Sequence, residues 1–139
     1  MFRKILIAND GSEGAARALS AAIRLAKRFD AELHMISVEE LPQFPASIDE
    51  VIEEREEEEH IFQPLIRRAE AQATAEGVNL HGHIIVGHVV STIASFVERE
   101  NFDLLVVGFM GHSALYNRLI GSTSDRLVEH APCAVIVIK

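Results

Sequence analysis

The stretch Leu104-Leu-Val-Val-Gly108-Phe-Met-Gly111, followed after nine residues by Gly121-Ser-Thr-Ser-Asp125, decides how the rest of the chain is interpreted. Its apolar residues are typical of a strand buried on both faces. Gly108 and Gly111 allow a sharp turn and a close approach to a ligand, because glycine has no Cβ. The residues from Gly121 onward predict a helix start, where amides and the helix dipole favour an anion. The spacing therefore predicts a phosphate cradle in a nucleotide-binding module.

Plainer explanations of the same residues stay open. Glycines are also common in turns and loops after strands, where they need not contact a ligand. Ser122-Thr-Ser-Asp125 fits a capping box, in which the Ser122 hydroxyl satisfies a backbone amide. Capping and phosphate contact use different atoms, so both are compatible with this turn. Thr123 in the same turn and His112 after Gly111 are further candidate phosphate contacts.

Apolar runs alternate with helical patterns along the chain. This alternation predicts a single α/β domain over residues 1–139, with a parallel sheet covered by helices on both faces. The strands are expected at Ile5–Ala8, Leu33–Val38, His83–Val86, Leu104–Val107 and Ala134–Ile138.

Helical spacing predicts four helices between these strands. The first has Ser12 as its N-cap, the third includes Val89–Val97, and the fourth ends before Pro132. The second runs from Ile48 to Gly77, and Pro64 within it predicts either a kink or two helices that meet near residues 60–62. Whether the acidic segment 42–60 is a lid or a rigid helix stays open.

Two further residues lie where ligands bind in open α/β sheets, at the carboxyl ends of strands. Asp10 follows the first strand and is placed to accept hydrogen bonds from ribose hydroxyls, although an Asx turn explains it equally well. Val38 ends the second strand, where its peptide groups would read an adenine edge. Taken alone, Val38 is an ordinary strand residue.

Charge and cysteine usage exclude several classes of protein. The formal net charge is −8, and residues 49–59 alone carry eight acids and one base. Because no cluster of Lys and Arg is visible, nucleic acid is a poor candidate partner. The only cysteine, Cys133, fits a reducing compartment as a buried, inert thiol. The first apolar run is too short for a signal peptide or membrane span, so we expect a cytoplasmic protein.

Catalytic and metal-binding patterns are missing from the sequence. Neither the G-x-x-x-x-G-K-[ST] loop nor a G-x-G-x-x-G turn after the first strand is present, so efficient phosphoryl transfer lacks its usual machinery. His81 and His83 would share one strand face, but no third ligand follows at suitable spacing. We therefore expect no catalytic residue and no protein metal site.

Together these residues resemble the universal stress protein family, from Lys4-Ile-Leu-Ile-Ala-Asn-Asp-Gly-Ser12 to the last strand. The most specific likeness is G-x2-G-x9-G-[ST], the motif of the family's ATP-binding branch, which matches Gly108, Gly111, Gly121 and Ser122. The resemblance implies a five-stranded parallel sheet in the order 3-2-1-4-5, as in adenine nucleotide alpha hydrolase-like folds. It also implies ATP, with or without Mg²⁺, as ligand. The implied contacts are Asp10 with ribose, Val38 with adenine, and the motif residues with the phosphates.

The resemblance has departures and a consequence for assembly. Asn9 stands where the family has a small or apolar residue, and Val89 replaces a common proline. Family members commonly dimerise through the last strand, here Val135–Ile138, whose apolar edge invites a partner strand. Three functions remain: an ATP-binding regulatory module with slow or no hydrolysis, a weak ATPase or adenylyl-handling enzyme, and a chaperone-like module that binds no nucleotide.

Overall fold

The computed structural model describes residues 1–40, 48–109 and 120–139 of the chain. Strands and helices alternate throughout these ranges, as predicted. In chain order they are β1 (Lys4–Ala8), α1 (Glu13–Phe29), β2 (Glu32–Glu40), α2 (Ile48–Ala75), β3 (Leu80–Gly87), α3 (Val89–Arg99), β4 (Leu104–Gly108), α4 (Ser122–His130) and β5 (Ala134–Ile138).

The strands form one parallel sheet in the order β3-β2-β1-β4-β5, which confirms the predicted order. The central strand β1 pairs with β2 from Lys4↔Glu32 to Ala8↔Ile36 and with β4 from Ile5↔Leu104 to Ile7↔Val106. All strands therefore place their carboxyl ends at one edge of the sheet and their amino ends at the other.

Two apolar layers cover the sheet, because successive strand side chains point to opposite faces. Ile5 and Ile7 pack in one layer with the apolar sides of α1 and α2. Leu6, from the same strand, packs in the other layer with α3 and Leu127 of α4. This burial on both faces explains why β1 and β4 are continuous apolar runs.

The helix boundaries follow the predicted signals closely. Ser12 caps α1, since its Oγ accepts a hydrogen bond from the Ala15 amide at 3.2 Å. Helix α2 is one helix with Pro64 inside it, so the alternative of two helices is wrong. It ends at Ala75, two residues before Gly77, whose φ of 77° is left-handed. In the described ranges, no helix is long and apolar enough to cross a membrane.

The acidic segment proves helical where the structure describes it. Residues 48–60 belong to α2, and the side chains of Asp49, Glu50 and Glu53 are exposed, as a solvated face requires. The rest of that segment, 42–47, lies outside the described residues. Residues 48–60 are therefore helical, and Phe62 of the same helix lines the cavity described below.

Gly108 is fixed by packing at the end of β4. A Cβ there would lie 2.7 Å from the carbonyl carbon of Gly14 and 2.9 Å from its oxygen. The first turn of α1 can therefore approach β4 only because residue 108 has no side chain. The sequence analysis explained this glycine by ligand access. The structure shows that it also makes a close contact with the helix backbone.

Replacing Gly108 with alanine is expected to destabilise the fold. The new methyl meets backbone atoms, which cannot rotate away, so α1 must shift from β4. Overpacking of this kind costs about 1–3 kcal/mol, measurable as a lower free energy of unfolding in urea.

Ala134→Val is the control, because Ala134 is an exposed residue of the neighbouring strand β5. Its effect should stay within about 0.5 kcal/mol. Equal stability of Gly108→Ala and the unmodified chain would show that α1 does not need this close approach.

Candidate functional site

A cavity of about 380 Å³ opens at the carboxyl edge of the sheet. This volume suits a small molecule. The ends of β1, β2 and β4 and the starts of α1, α3 and α4 all contribute to it, with Phe62 from α2. Its lining consists of Ala8, Asn9, Asp10, Ser12, Ala15, Ile36, Val38, Glu40, Phe62, Val89, Ile93, Val107, Gly108, Gly121, Ser122, Thr123, Ser124 and Leu127.

The predicted contact residues converge on this cavity wherever the structure describes them. The residues of the prediction that line the cavity are Asp10, Val38, Gly108, Gly121, Ser122 and Thr123. Gly111 and His112 lie outside the described residues, so their predicted roles stay predictions. Four separate segments of the chain are therefore brought to one place.

The cavity is lined by both apolar and polar groups. Val38, Val89 and Ile93 offer hydrocarbon surface from β2 and α3. Hydroxyl and main-chain groups come from the first turn of α4. Such a surface matches a ligand with a flat apolar part and a polar part.

The loop after β1 is ordered by two side chains. Asn9 Oδ1 accepts the Gly11 amide at 2.9 Å, and Asp10 Oδ1 accepts the Ser12 amide at 3.0 Å. Both are Asx turns, and Gly11 has a φ of 85°. The Asx turn that the sequence left open is therefore present at Asp10, which remains exposed at the cavity rim.

Asn9 connects this loop to the neighbouring strand β2. Its side chain is 4% exposed, and its amide nitrogen lies 3.4 Å from the sulfur of Met35. Ser37 Oγ donates a hydrogen bond to the Asn9 carbonyl at 2.7 Å. The residue before Asp10 thus connects the loop to β2.

Gly121 is the N-cap of α4. Its φ of −60° and ψ of 147° are extended, and no side chain caps the helix. The alternative in which Ser122 caps this helix is therefore wrong, because Ser122 is already the first helical residue. The first helical bond runs from the Asp125 amide to the Gly121 carbonyl at 2.9 Å. The amides of residues 122–124 precede this ladder and form the anion-favouring end of the helix.

Two hydrogen bonds fasten this helix start to β4. The Gly121 amide donates to the Phe109 carbonyl at 2.7 Å, and Ser124 Oγ donates to the Gly108 carbonyl at 2.6 Å. Sequence reasoning missed this role of Ser124, whose only signal was its hydroxyl in the turn after Gly121. The bonds hold the α4 amides at the cavity.

Val38 of β2 lies beyond the point where the neighbouring strand β1 ends, so its peptide groups have no partner in the β1–β2 register. The Ile36 carbonyl accepts the Asn9 amide at 2.9 Å, and the β1–β2 register ends at Ala8↔Ile36. Peptide groups of alternate residues in a strand point to the same side, so those of Val38 point toward β1 after that strand has ended. This places them at the cavity.

The charged residues in the described lining of the cavity are acidic. The described lining residues include Asp10 and Glu40 but no Lys, Arg or His. Among these described lining residues, the groups that can bind an anion are main-chain amides and hydroxyls.

A group of histidines lies at the opposite edge of the sheet. His34 of β2 stacks on His83 with ring centroids 5.1 Å apart and contacts His81 at 4.7 Å. Burial lowers the pKa of His34 and of His83, and neighbouring imidazoles lower both further. The sequence placed His81 and His83 on one face correctly but could not show that Glu32 and His34 lie beside them.

Cys133 is half-buried just before β5. Burial raises the pKa of its thiol. A raised pKa keeps the sulfur neutral, as expected for an inert thiol.

The chain matches a known protein family along its whole length. The profile of the Universal stress protein family matches residues 1–139. The chain belongs to this family. A universal stress protein of Methanocaldococcus jannaschii is 34% identical over 143 residues, covering 100% of this chain and 83% of that protein.

Solved structures of universal stress proteins share the fold. UspA from Lactobacillus plantarum superposes with a TM-score of 0.91 at 28% identity, covering 99% of this chain and 98% of its own. A universal stress protein in complex with cAMP gives 0.78 at 22% identity, covering 99% and 97%. A family protein from Arabidopsis thaliana with AMP bound gives 0.69 at 22% identity, covering 99% and 91%.

Proposed function

We propose that this universal stress protein is an adenine-nucleotide-binding regulatory module that takes ATP, with slow or no hydrolysis. The observation that carries the proposal is the cavity where strand ends supply an apolar wall and the first turn of α4 supplies amides. Relatives of the same fold bound to cAMP and AMP support an adenine nucleotide as the ligand class.

The adenine and ribose would lie between β2 and the loop after β1. Val38 packs against the base while its peptide groups, which extend beyond β1, meet the base edge. Asp10 lies at the rim, where one carboxylate can accept from a ribose hydroxyl as well as from the Ser12 amide. A carboxylate has enough lone pairs for both.

The phosphates would lie against the start of α4, at Gly121, Ser122 and Thr123. Hydrogen bonds to a charged group contribute about 1.5–3 kcal/mol each. Three such bonds approach the roughly 8 kcal/mol of micromolar binding. Asp10 and Glu40 at the same cavity would repel a bare polyphosphate, so we expect Mg²⁺ to accompany ATP.

A regulatory module is favoured over an enzyme by the groups that face the cavity. Among the described lining residues, no cation is available to stabilise a transferring phosphoryl group. Bound nucleotide would instead order the loops at the carboxyl edge and change the surface offered to a protein partner. The single, neutral thiol fits the reducing cytoplasm, which we retain as the proposed location.

We further propose a homodimer through β5, which ends the sheet. The Phe109 amide donates to the Ile138 carbonyl at 2.9 Å, so the peptide groups of Ile138 face β4. Those of Val135 and Val137 alternate with them and face the open edge. An unpaired edge of this kind can accept the same strand from a second copy.

Nucleotide binding is tested by calorimetry with Mg·ATP, AMP and cAMP on the purified chain and on Gly121→Val. The N-cap angles of Gly121 are open to valine, so the variant should fold. Its side chain would fill the phosphate position. We expect at least about tenfold weaker ATP binding, equivalent to about 1.4 kcal/mol.

The matched control is Ala131→Val at the other end of α4, where φ is −67° and ψ is 132°. It should bind ATP like the unmodified chain. Unchanged affinity in Gly121→Val would refute the phosphate position, and no binding of any nucleotide would favour the chaperone-like alternative. Sustained release of phosphate, lost in Asp10→Asn, would favour the weak ATPase.

Dimerisation is tested by light scattering on Val137→Pro. Proline removes an amide that faces the open edge and leaves the bonds between β4 and β5 in place. We expect the unmodified chain to have twice the mass of one copy and the variant to be monomeric. A monomeric unmodified chain, or a variant that stays dimeric, would contradict the β5 interface.

A further inference from the structure

Four side chains meet at the amino edge of the sheet, away from the nucleotide cavity. Glu32 and His34 lie two residues apart on β2, and His81 and His83 lie two residues apart on β3. The register pairs His34 with His81 and Ile36 with His83. Because side chains alternate along strands, all four project from the same face.

Three of these residues present possible ligand atoms to a common centre. The atoms of Glu32, His34 and His81 all lie within 4.8 Å of one another. Glu32 Oε2 is 3.5 Å from His34 Nε2. Ligand atoms around tetrahedral zinc, with bonds of about 2.0–2.2 Å, lie roughly 3.3–3.5 Å apart. Small rotations of the exposed His81 and Glu32 side chains would bring all three to that separation.

The central ligand atom is already buried and oriented. His34 Nε2 is buried and has no hydrogen-bond partner among the described residues. Its other ring nitrogen, Nδ1, lies 2.8 Å from His83 Nε2. If Nδ1 carries the proton and donates to His83, then Nε2 has a free lone pair directed toward Glu32 and His81. A zinc-bound histidine typically donates its second N–H to a neighbouring acceptor in this way.

We propose that Glu32, His34 and His81 bind a Zn²⁺ ion, with water as the fourth ligand, and that His83 is the positioning residue for His34. Two imidazoles and one carboxylate form an established donor set for zinc with an open position. Imidazole nitrogens favour zinc over Mg²⁺ or Ca²⁺, which prefer oxygen. Bound zinc would cross-link β2 to the edge strand β3.

The surroundings allow a cation to enter and stay. His81 is exposed and Glu32 is half-exposed, so the ion can arrive from solvent. Lys4 is the competing positive charge, 3.9 Å from Glu32, but its Nζ already donates to the Glu100 carbonyl at 2.6 Å. It can keep that bond when Glu32 turns to zinc. Behind His34, the ring of Phe102 closes the site at a centroid distance of 5.1 Å.

The test is calorimetric titration of Zn²⁺ into the untagged, chelator-treated chain without nucleotide. We expect one zinc per chain and a higher melting temperature. His81→Gln removes an exposed ligand without disturbing the core and should weaken binding at least about tenfold. His88→Gln, at the exposed N-cap of α3, is the matched control and should bind like the unmodified chain.

Substoichiometric binding, or equal loss of Zn²⁺ affinity in His81→Gln and His88→Gln, would overturn the site.

His83→Gln tests the positioning role of His83. It should weaken Zn²⁺ about 10–100-fold and shift the visible spectrum of bound Co²⁺, whereas an unchanged spectrum and affinity would remove His83 from the site.

Discussion

The contact between β4 and the first turn of α1 at Gly108 is the constraint on which the candidate site depends. A Cβ would lie 2.7 Å from the Gly14 backbone, so the helix sits as close as the strand allows. The Gly108 carbonyl also accepts Ser124 Oγ at 2.6 Å, and the next carbonyl accepts the Gly121 amide. One strand end therefore positions both the Asp10 loop and the amides of α4, which together face the cavity.

Much of this architecture was predictable because its signals are local. Buried strands in a parallel sheet appear as apolar runs, and all five were recognised, although β3 begins at Leu80, three residues before the predicted His83. Ser12 was recognised from the sequence as the N-cap of α1, because capping depends on residues within one turn. The strand order came from the family resemblance, because nothing in the apolar runs themselves distinguishes one parallel order from another. Asp10, Val38 and Gly121 were found through their positions at strand and helix ends.

The missed features depend on distant residues or on competing local choices. Ser124 and Gly108 are 16 residues apart, and His34 and His83 are 49 apart, so their contacts follow from packing and register. Glu32 and His34 were overlooked as partners of His81 for the same reason. At α4, the capping-box pattern at Ser122 was misleading, because Gly121 is the N-cap and Ser122 is already helical. At Pro64, a helix continued where the sequence allowed a break.

The central claim is that main-chain amides at the start of α4 bind the phosphates of a nucleotide. The most direct measurement is a ¹H–¹⁵N correlation spectrum of the labelled chain titrated with Mg·ATP. The account predicts that the amide resonances of Ser122, Thr123 and Ser124 shift most, together with that of Val38. ATP that saturates the protein while these amides stay unmoved, or that shifts no resonance, would contradict it.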